Sequence, residues 1–122
     1  MKHMNVQAEV RRILAEALSP VTVAVHVPAD RPAELVTVQR KGGAAQRYVY
    51  EDSTIEVQCW ASSEARAEEL MESVRQTLSD LTYADGFLPV TEQVIRTDYD
   101  LVAHSPRWYG RFQLTTYQPT AS

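Results

Sequence analysis

The sequence predicts an α+β fold: a mainly antiparallel sheet of four to five strands with two helices packed on one face. Two segments have apolar residues at the spacing of an amphipathic helix, one near the start of the chain and one after Ser62 and Ser63. Several other segments alternate apolar with polar residues, which is typical of strands with one buried face. The connections between the strands are short, and this favours antiparallel neighbours.

The chain up to residue 40 is predicted to form one helix and two strands. The helix spans residues 5–18, with Asn5 as its N-cap and Pro20 just beyond its end. Residues 21–27 place four valines on one side and three other residues on the opposite side, which predicts a strand. A second strand is predicted over residues 35–40.

Residues 41–47 are predicted to be a flexible loop at the tip of a hairpin. They contain two glycines and two alanines and are flanked by cations. An alternative function for this segment is an arm that becomes ordered on a neighbouring subunit. The chain begins its return at residues 47–50, and the next strand covers residues 54–60, with Ile55, Val57 and Cys59 on one face.

The remaining chain is predicted to hold the second helix and two strands. Ser62 or Ser63 caps the helix, whose buried stripe runs from Ala67 to Leu81. One strand covers residues 90–96, and a polar excursion without periodicity follows over residues 98–106. The final strand covers residues 108–117, and Gly110 inside it suggests a bulge or the close approach of another backbone.

Length and composition set the broad class. The 122 residues fit one domain, spanning residues 1–122. A net charge of −4 argues against a nucleic-acid-binding surface over the whole domain. A single cysteine allows no internal disulfide and favours a reducing compartment. No apolar run reaches the length of a membrane span and the N-terminal residues do not resemble a signal peptide, so we expect a soluble cytoplasmic product with no membrane association.

Few side chains are arranged for chemistry. Cys59 shares a strand face with two aliphatic residues, so it is predicted to be a core residue and not a nucleophile. The histidines fall at no metal-ligand spacing, and no glycine-rich phosphate loop is present. Asp98 and Asp100 flank a tyrosine, a pattern more typical of turns than of acid–base catalysis. The sequence therefore predicts no catalytic residue, no metal site and no cofactor.

The order and spacing of six segments carry a likeness to a known family. They are residues 10–18, 27–36, 42–43, 57–61, 65–70 and 105–114. Together they resemble the tail terminator proteins of long-tailed bacteriophages and prophages, also called tail completion or minor tail proteins. The resemblance implies helices against a mainly antiparallel sheet. It also implies a homohexameric ring that caps the tail tube and offers the surface to which the head attaches. The family has no catalytic residues.

The resemblance also implies partners and a location. The partners are further copies of the chain in the ring, the tail tube protein and the head–tail connector or neck protein, while DNA passes through the lumen without sequence-specific binding. The location is the tail or neck of a virion made in the host cytoplasm. Candidate contact residues, chosen for exposure and residue type, are Arg40, Lys41, Arg47, Tyr48, Tyr50, Asp98, Asp100, Arg107 and Tyr109.

Two alternative functions remain open on the sequence. One is a head–tail connector or neck protein of the same virion. The other is a small α+β enzyme or ligand-binding domain, which would require a concave pocket with convergent polar groups.

Overall fold

Two helices and five strands follow one another in the computed structural model, which describes residues 4–46, 50–102 and 104–117. The elements are α1 (Val6–Ala17), β1 (Thr22–Ala24), β2 (Leu35–Gln46), β3 (Tyr50–Trp60), α2 (Glu64–Ser79), β4 (Thr91–Asp100) and β5 (Ser105–Tyr117). A 3₁₀ turn, Tyr83–Asp85, lies between α2 and β4.

The five strands form one sheet in the order β1-β2-β3-β5-β4. β1 pairs with β2 in parallel, and the other three pairings are antiparallel. The predicted fold class, α+β with a mainly antiparallel sheet of four to five strands, is therefore confirmed. β1 and β4 are the outer strands, but β1 is short and pairs only with residues 35–37 of β2.

Both helices begin where the sequence predicts. The Asn5 side chain accepts a hydrogen bond from the backbone N–H of Ala8 at 3.0 Å. The Ser63 hydroxyl accepts one from the backbone N–H of Arg66 at 3.1 Å. Each bond satisfies one of the amides that a helix leaves unpaired in its first turn, so these two side chains fix where the helices start.

The core lies between the helices and one face of the sheet. Helix α1 contributes Val10 and Leu14, and helix α2 contributes Met71 and Val74, all without exposed surface. The sheet residues that meet them, also fully buried, are Val36, Val38, Ile55, Val57, Cys59, Phe112 and Leu114. Cys59 is therefore a core residue, as the alternation of its strand predicts.

The first strand is shorter than predicted. β1 ends at Ala24, whereas the valine alternation predicts a strand to residue 27. Val27 is 45% exposed, so the apolar alternation does not mark a buried face there. The side-chain amide of Gln39 donates to the carbonyl oxygen of Val25 at 2.8 Å. A side chain thus takes the place of a ladder bond just beyond the end of β1.

The predicted flexible loop is wrong up to residue 46. β2 continues through it and stays paired with β3 as far as the partners Gln46 and Tyr50, with a bulge between Arg40 and Gly42. Gly42 and Gly43 have φ angles of 154° and 138°, which favour glycine. A Cβ on Gly43 would lie 2.0 Å from the carbonyl oxygen of Asp52. The glycines therefore allow a bulged, close strand pairing instead of ending the strand.

The predicted polar excursion over residues 98–106 is also mostly strand. β4 continues to Asp100 and β5 begins at Ser105. The register pairs Asp98 with Arg107, so these strand ends carry charged partners and show no apolar alternation. Only residues 101–104 separate the two strands.

The expectation of a bulge or a close backbone at Gly110 is wrong. Gly110 pairs regularly with Val57 and Ile95, and the irregularity lies instead between Glu92 and Val94. A Cβ at Gly110 would lie 3.1 Å from the sulfur of Met71 on α2. The absence of a side chain there makes room for a helix side chain.

Candidate interface on the polar face of the sheet

Charged and aromatic side chains occupy the face of the sheet opposite the helices. The strand register places the following residues on this surface, which we call the polar face: Glu56, Gln58, Trp60, Val94, Arg96, Asp98, Asp100, Arg107, Tyr109, Arg111 and Gln113. Strand alternation puts these side chains on one side and the core residues on the other.

Trp60 is the centre of the contacts at one end of the polar face. Its side chain is almost fully buried. The guanidinium carbon of Arg31 lies 4.8 Å from the centroid of its ring and that of Arg107 lies 5.9 Å away. Its indole N–H donates to the Asp100 carboxylate at 2.8 Å. Arg31 thus holds the connector between β1 and β2 onto the sheet, through its cation–π contact with Trp60 and an ion pair of 3.9 Å with Asp100.

Arg107 links three strands beside this tryptophan. Its guanidinium donates to the carboxylate of Asp98 on β4 and, at 3.2 Å, to the side-chain oxygen of Gln58 on β3. The hydrogen bond from Arg107 favours the charged carboxylate and lowers the pKa of Asp98. The carboxylate pair that the sequence relates to a turn is therefore part of a cross-strand network.

Tyr109 forms a second aromatic centre on the same face. The guanidinium carbon of Arg96 lies 4.7 Å from its ring centroid, and that of Arg111 lies 6.0 Å away. Arg111 also donates to the Tyr109 hydroxyl at 3.1 Å and lies 3.7 Å from the Glu56 carboxylate. Burial raises the pKa of the Tyr109 phenol, so the hydroxyl remains neutral at physiological pH.

Four of the nine candidate contact residues thus lie together. Asp98, Asp100, Arg107 and Tyr109 share the polar face, although they come from two strands and the sequence relates them only by residue type. Their role as contacts remains a prediction.

The contact residues chosen from the sequence do not include Arg31, Trp60 and Arg96, which belong to this cluster of contacts. Trp60 on the polar side of a strand was a usable signal, because a large aromatic there needs cover. Nothing local marks Arg31.

Three of the other candidates, Arg40, Lys41 and Tyr50, lie on the hairpin of β2 and β3, away from Trp60. Tyr50 packs edge-on against Tyr117, with ring centroids 5.8 Å apart. Tyr50 and Trp60 are the two ends of β3, ten residue steps apart, which corresponds to about 33 Å of strand. Arg40 lies 3.3 Å from the Glu51 carboxylate, and Lys41 is exposed. Arg47 and Tyr48 fall outside the described residues.

The described residues contain no cluster of histidine, cysteine and acidic side chains arranged to hold a metal ion. Burial raises the pKa of the Cys59 thiol well above its usual value, so the reactive thiolate is disfavoured. A surface depression with a volume of about 470 Å³ is lined by Glu64, Thr97, Asp98, Tyr99 and Pro106. The Asp98 carboxylate in this depression accepts a hydrogen bond from Arg107, which lowers its pKa and keeps it ionised. In the described part of the chain, no helix combines the length and apolarity that crossing a membrane requires.

The fold and this face define an α+β domain with one helix-covered side and one charged, aromatic side. No protein-family model and no curated protein matches the sequence. Among solved structures, the chain is similar to one from a structure described as the virion of a native gene transfer agent (GTA) particle. The TM-score is 0.64 and the sequence identity is 16%, and the match covers 92% of this chain and 94% of that chain. At this identity the likeness shows a shared fold.

Proposed function

We propose that the chain is a structural protein of a phage-like virion. The observation that carries this proposal is the fold likeness to a chain of the gene transfer agent virion, which extends over nearly the whole of both chains. The residues support a role in assembly, since the polar face carries three arginines around one tyrosine and one tryptophan, residue types favoured at protein interfaces.

Within that class, the proposed role is that of a tail terminator. Six copies form a ring that caps the tail tube, and the ring then presents the surface to which the head attaches through its connector. The family resemblance of the sequence supports this role. A closed ring needs two different surface patches on each copy, one meeting the other on the neighbour. The polar face around Trp60 and the hairpin around Tyr50 are two such patches, at opposite ends of the sheet.

The charge of the chain suits a ring around DNA. A net charge of −4 per copy adds up around the ring and repels the phosphate backbone. DNA would therefore pass through the lumen without being held.

Size-exclusion chromatography with light scattering tests the proposal, on the protein alone and mixed with the tail tube protein of the same particle. We expect a ring of about six copies, either alone or on the end of the tube. A protein that stays monomeric under both conditions and binds no tube protein would overturn the terminator role. Binding to the connector with no binding to the tube would favour a neck protein of the same virion instead.

A matched pair of variants tests whether the polar face is a contact surface. Arg111→Glu reverses a charge on that face, and Arg12→Glu makes the same change on the exposed side of α1. We expect Arg111→Glu to weaken ring formation or tube binding by at least about tenfold, because a reversed charge at an interface costs more than a kilocalorie per mole. Arg12→Glu should leave assembly unchanged. Equal behaviour of the two variants would remove the polar face from the proposed interface.

A further inference from the structure

In the part of the chain that the structure describes, the sheet has an unpaired outer edge on each side. β4 is the last strand on one side, and no strand of the described residues lies beyond it. On the other side, β1 pairs only with residues 35–37 of β2. Among the described residues, no strand lies outside the rest of β2. Such edges present backbone groups that can pair with another chain, and proteins usually protect them.

Among the described residues, the outer edge of β2 is protected at Arg40, and no strand lies beside it further along. At Arg40 the backbone N–H donates to the side-chain oxygen of Gln7 at 2.8 Å. The strand continues to residue 46, and its exposed residues just beyond Arg40 include the small Gly42, Gly43 and Ala44. A Cβ added at Gly42 would meet no atom within 4 Å. A strand with so little side-chain bulk lets another backbone approach closely.

The edge of β4 differs from that of β2 in charge. β4 is ten residues long and carries three acidic residues, Glu92, Asp98 and Asp100, against one basic residue, Arg96. The outer part of β2 begins with Arg40 and Lys41 and contains no acidic residue through residue 46. Each of the three acids of β4 is ion-paired with an arginine of the same chain, and Arg40 is paired with Glu51. Charge alone therefore does not select the partner of either edge, and the strand directions and the unpaired backbone groups carry the argument.

The strand directions also fit. Going from β2 to β4 across the sheet, the direction reverses three times, so the two strands are antiparallel to one another. A neighbouring copy in a ring, turned only slightly and with the same face outward, would place its β4 antiparallel to the free edge of β2. Antiparallel pairing is the more stable arrangement per residue.

We infer that the ring proposed above is held together by strand addition between copies. β4 of one copy pairs with residues 41–46 of β2 of the next, and this makes the sheets of neighbouring copies continuous. The contact joins two different edges of the same chain, so it repeats head to tail and can close into a ring. The inference rests on the proposed function, because it specifies which surfaces the ring uses.

A sheet that is continuous between copies fixes which side chains of β2 in one copy can meet those of β4 in the next. Ala44 pairs with Asp52 inside the chain, and Asp52 pairs with Thr115 of β5, so Ala44 lies on the side of the polar face. On β4, Val94 and Arg96 lie on that side, whereas Ile95 and Thr97 lie on the helix-covered side. In a continuous sheet, Ala44 can meet only the first pair, because side chains alternate along a strand.

Cysteine cross-linking tests this requirement. Four double variants each combine Ala44→Cys with one cysteine on β4. The first pair compares Arg96→Cys with Thr97→Cys, both at exposed positions. The second pair compares Val94→Cys with Ile95→Cys, both at half-buried positions. The native Cys59 is fully buried and stays out of reach of mild oxidation. Variants are oxidised in the assembled state and separated under denaturing, non-reducing conditions. We expect the polar-face positions to give a ladder of covalent oligomers, at least about fivefold more than their helix-side counterparts, since strand alternation sets which side chains meet.

The other outcomes are distinguishable. Covalent dimers from single Arg96→Cys chains would show β4 pairing with itself and would overturn the inference. If light scattering shows rings but the polar-face and helix-side cysteine pairs give equal yields of covalent oligomers, strand addition is overturned and the proposed ring is not. A mass that remains that of the monomer, with and without tube protein, would overturn both.

Discussion

The indole N–H of Trp60 donates a 2.8 Å hydrogen bond to the carboxylate of Asp100, although the two residues lie forty positions apart in the chain. Trp60 is the last residue of β3 and Asp100 is the last residue of β4, and β5 lies between these strands. The bond therefore spans three strands at one end of the sheet. The guanidinium groups of Arg31 and Arg107 lie near the same indole ring. This cluster organises the polar face.

Trp60→Phe should destabilise the fold, because it leaves the largely buried Asp100 carboxylate without its indole donor. A hydrogen bond to a charged group contributes about 1.5–3 kcal/mol. Trp108→Phe is the matched control, since its buried indole nitrogen has no hydrogen-bond partner among the described residues. Urea unfolding of both variants measures the difference. A loss for Trp108→Phe as large as that for Trp60→Phe would mean that ring volume, and not the bond to Asp100, is what matters.

Gly43→Ala should destabilise the hairpin of β2 and β3 more than Gly42→Ala. Both glycines have positive φ angles, for which an alanine costs about 1–3 kcal/mol. Only at Gly43 would the added Cβ also lie 2.0 Å from the Asp52 carbonyl oxygen. The free energies of unfolding of the two variants, measured side by side, isolate the effect of that close approach. Equal values would contradict the close pairing of these strands.

The stability of the protein should fall with rising pH above about 9 because of Cys59. Burial raises the pKa of this thiol above its reference value of 9.0, so it stays protonated in the folded state while the unfolded chain ionises. The unfolded state then binds fewer protons, and the free energy of unfolding decreases by up to about 1.4 kcal/mol per pH unit. Cys59→Ala lacks this contribution. The free energy of unfolding of both proteins is measured from about pH 7 to about pH 10.5, which brackets the thiol titration. Its slope against pH should be more negative for the native protein than for Cys59→Ala. Equal slopes would contradict a buried thiol.

Asp98 should titrate below the usual range of an aspartate, because Arg107 donates a hydrogen bond to its carboxylate. The lowered pKa means that this contact stabilises the folded state above the unfolded pKa, and that the stabilisation is lost as the pH falls through the folded pKa. NMR titration of the side-chain carboxyl carbon measures the value directly. Arg107→Gln should return the pKa towards that of a free aspartate. An unchanged pKa in that variant would show that Arg107 is not its cause.

The helices and the buried strand faces could be predicted from the sequence because local signals encode them. Asn5 and Ser63 cap the helices through their own nearby amides, and Ile55, Val57 and Cys59 alternate with polar residues over a short range. The extent of β2 could not be predicted in this way. Gly42 and Gly43 favour a turn locally, and the pairing with β3 decides otherwise because β-structure depends on its neighbours.

The polar face could be predicted only in part. Asp98, Asp100, Arg107 and Tyr109 were candidates by residue type, but their proximity depends on the register between β4 and β5. The contact of Arg31 with Trp60 depends on the path of a connector that has no periodic pattern. A sequence pattern reports which side of a strand is buried, and it does not report which polar residues meet across strands.

The number of copies of this chain in each purified particle tests the central claim most directly. Quantitative mass spectrometry of particles, with isotope-labelled peptides of this chain as standards, gives that number. A terminator ring predicts about six copies per particle, the count of one closed ring. Absence of the chain from the particles, or a copy number on the order of hundreds as expected for a repeating tube subunit, would contradict the account.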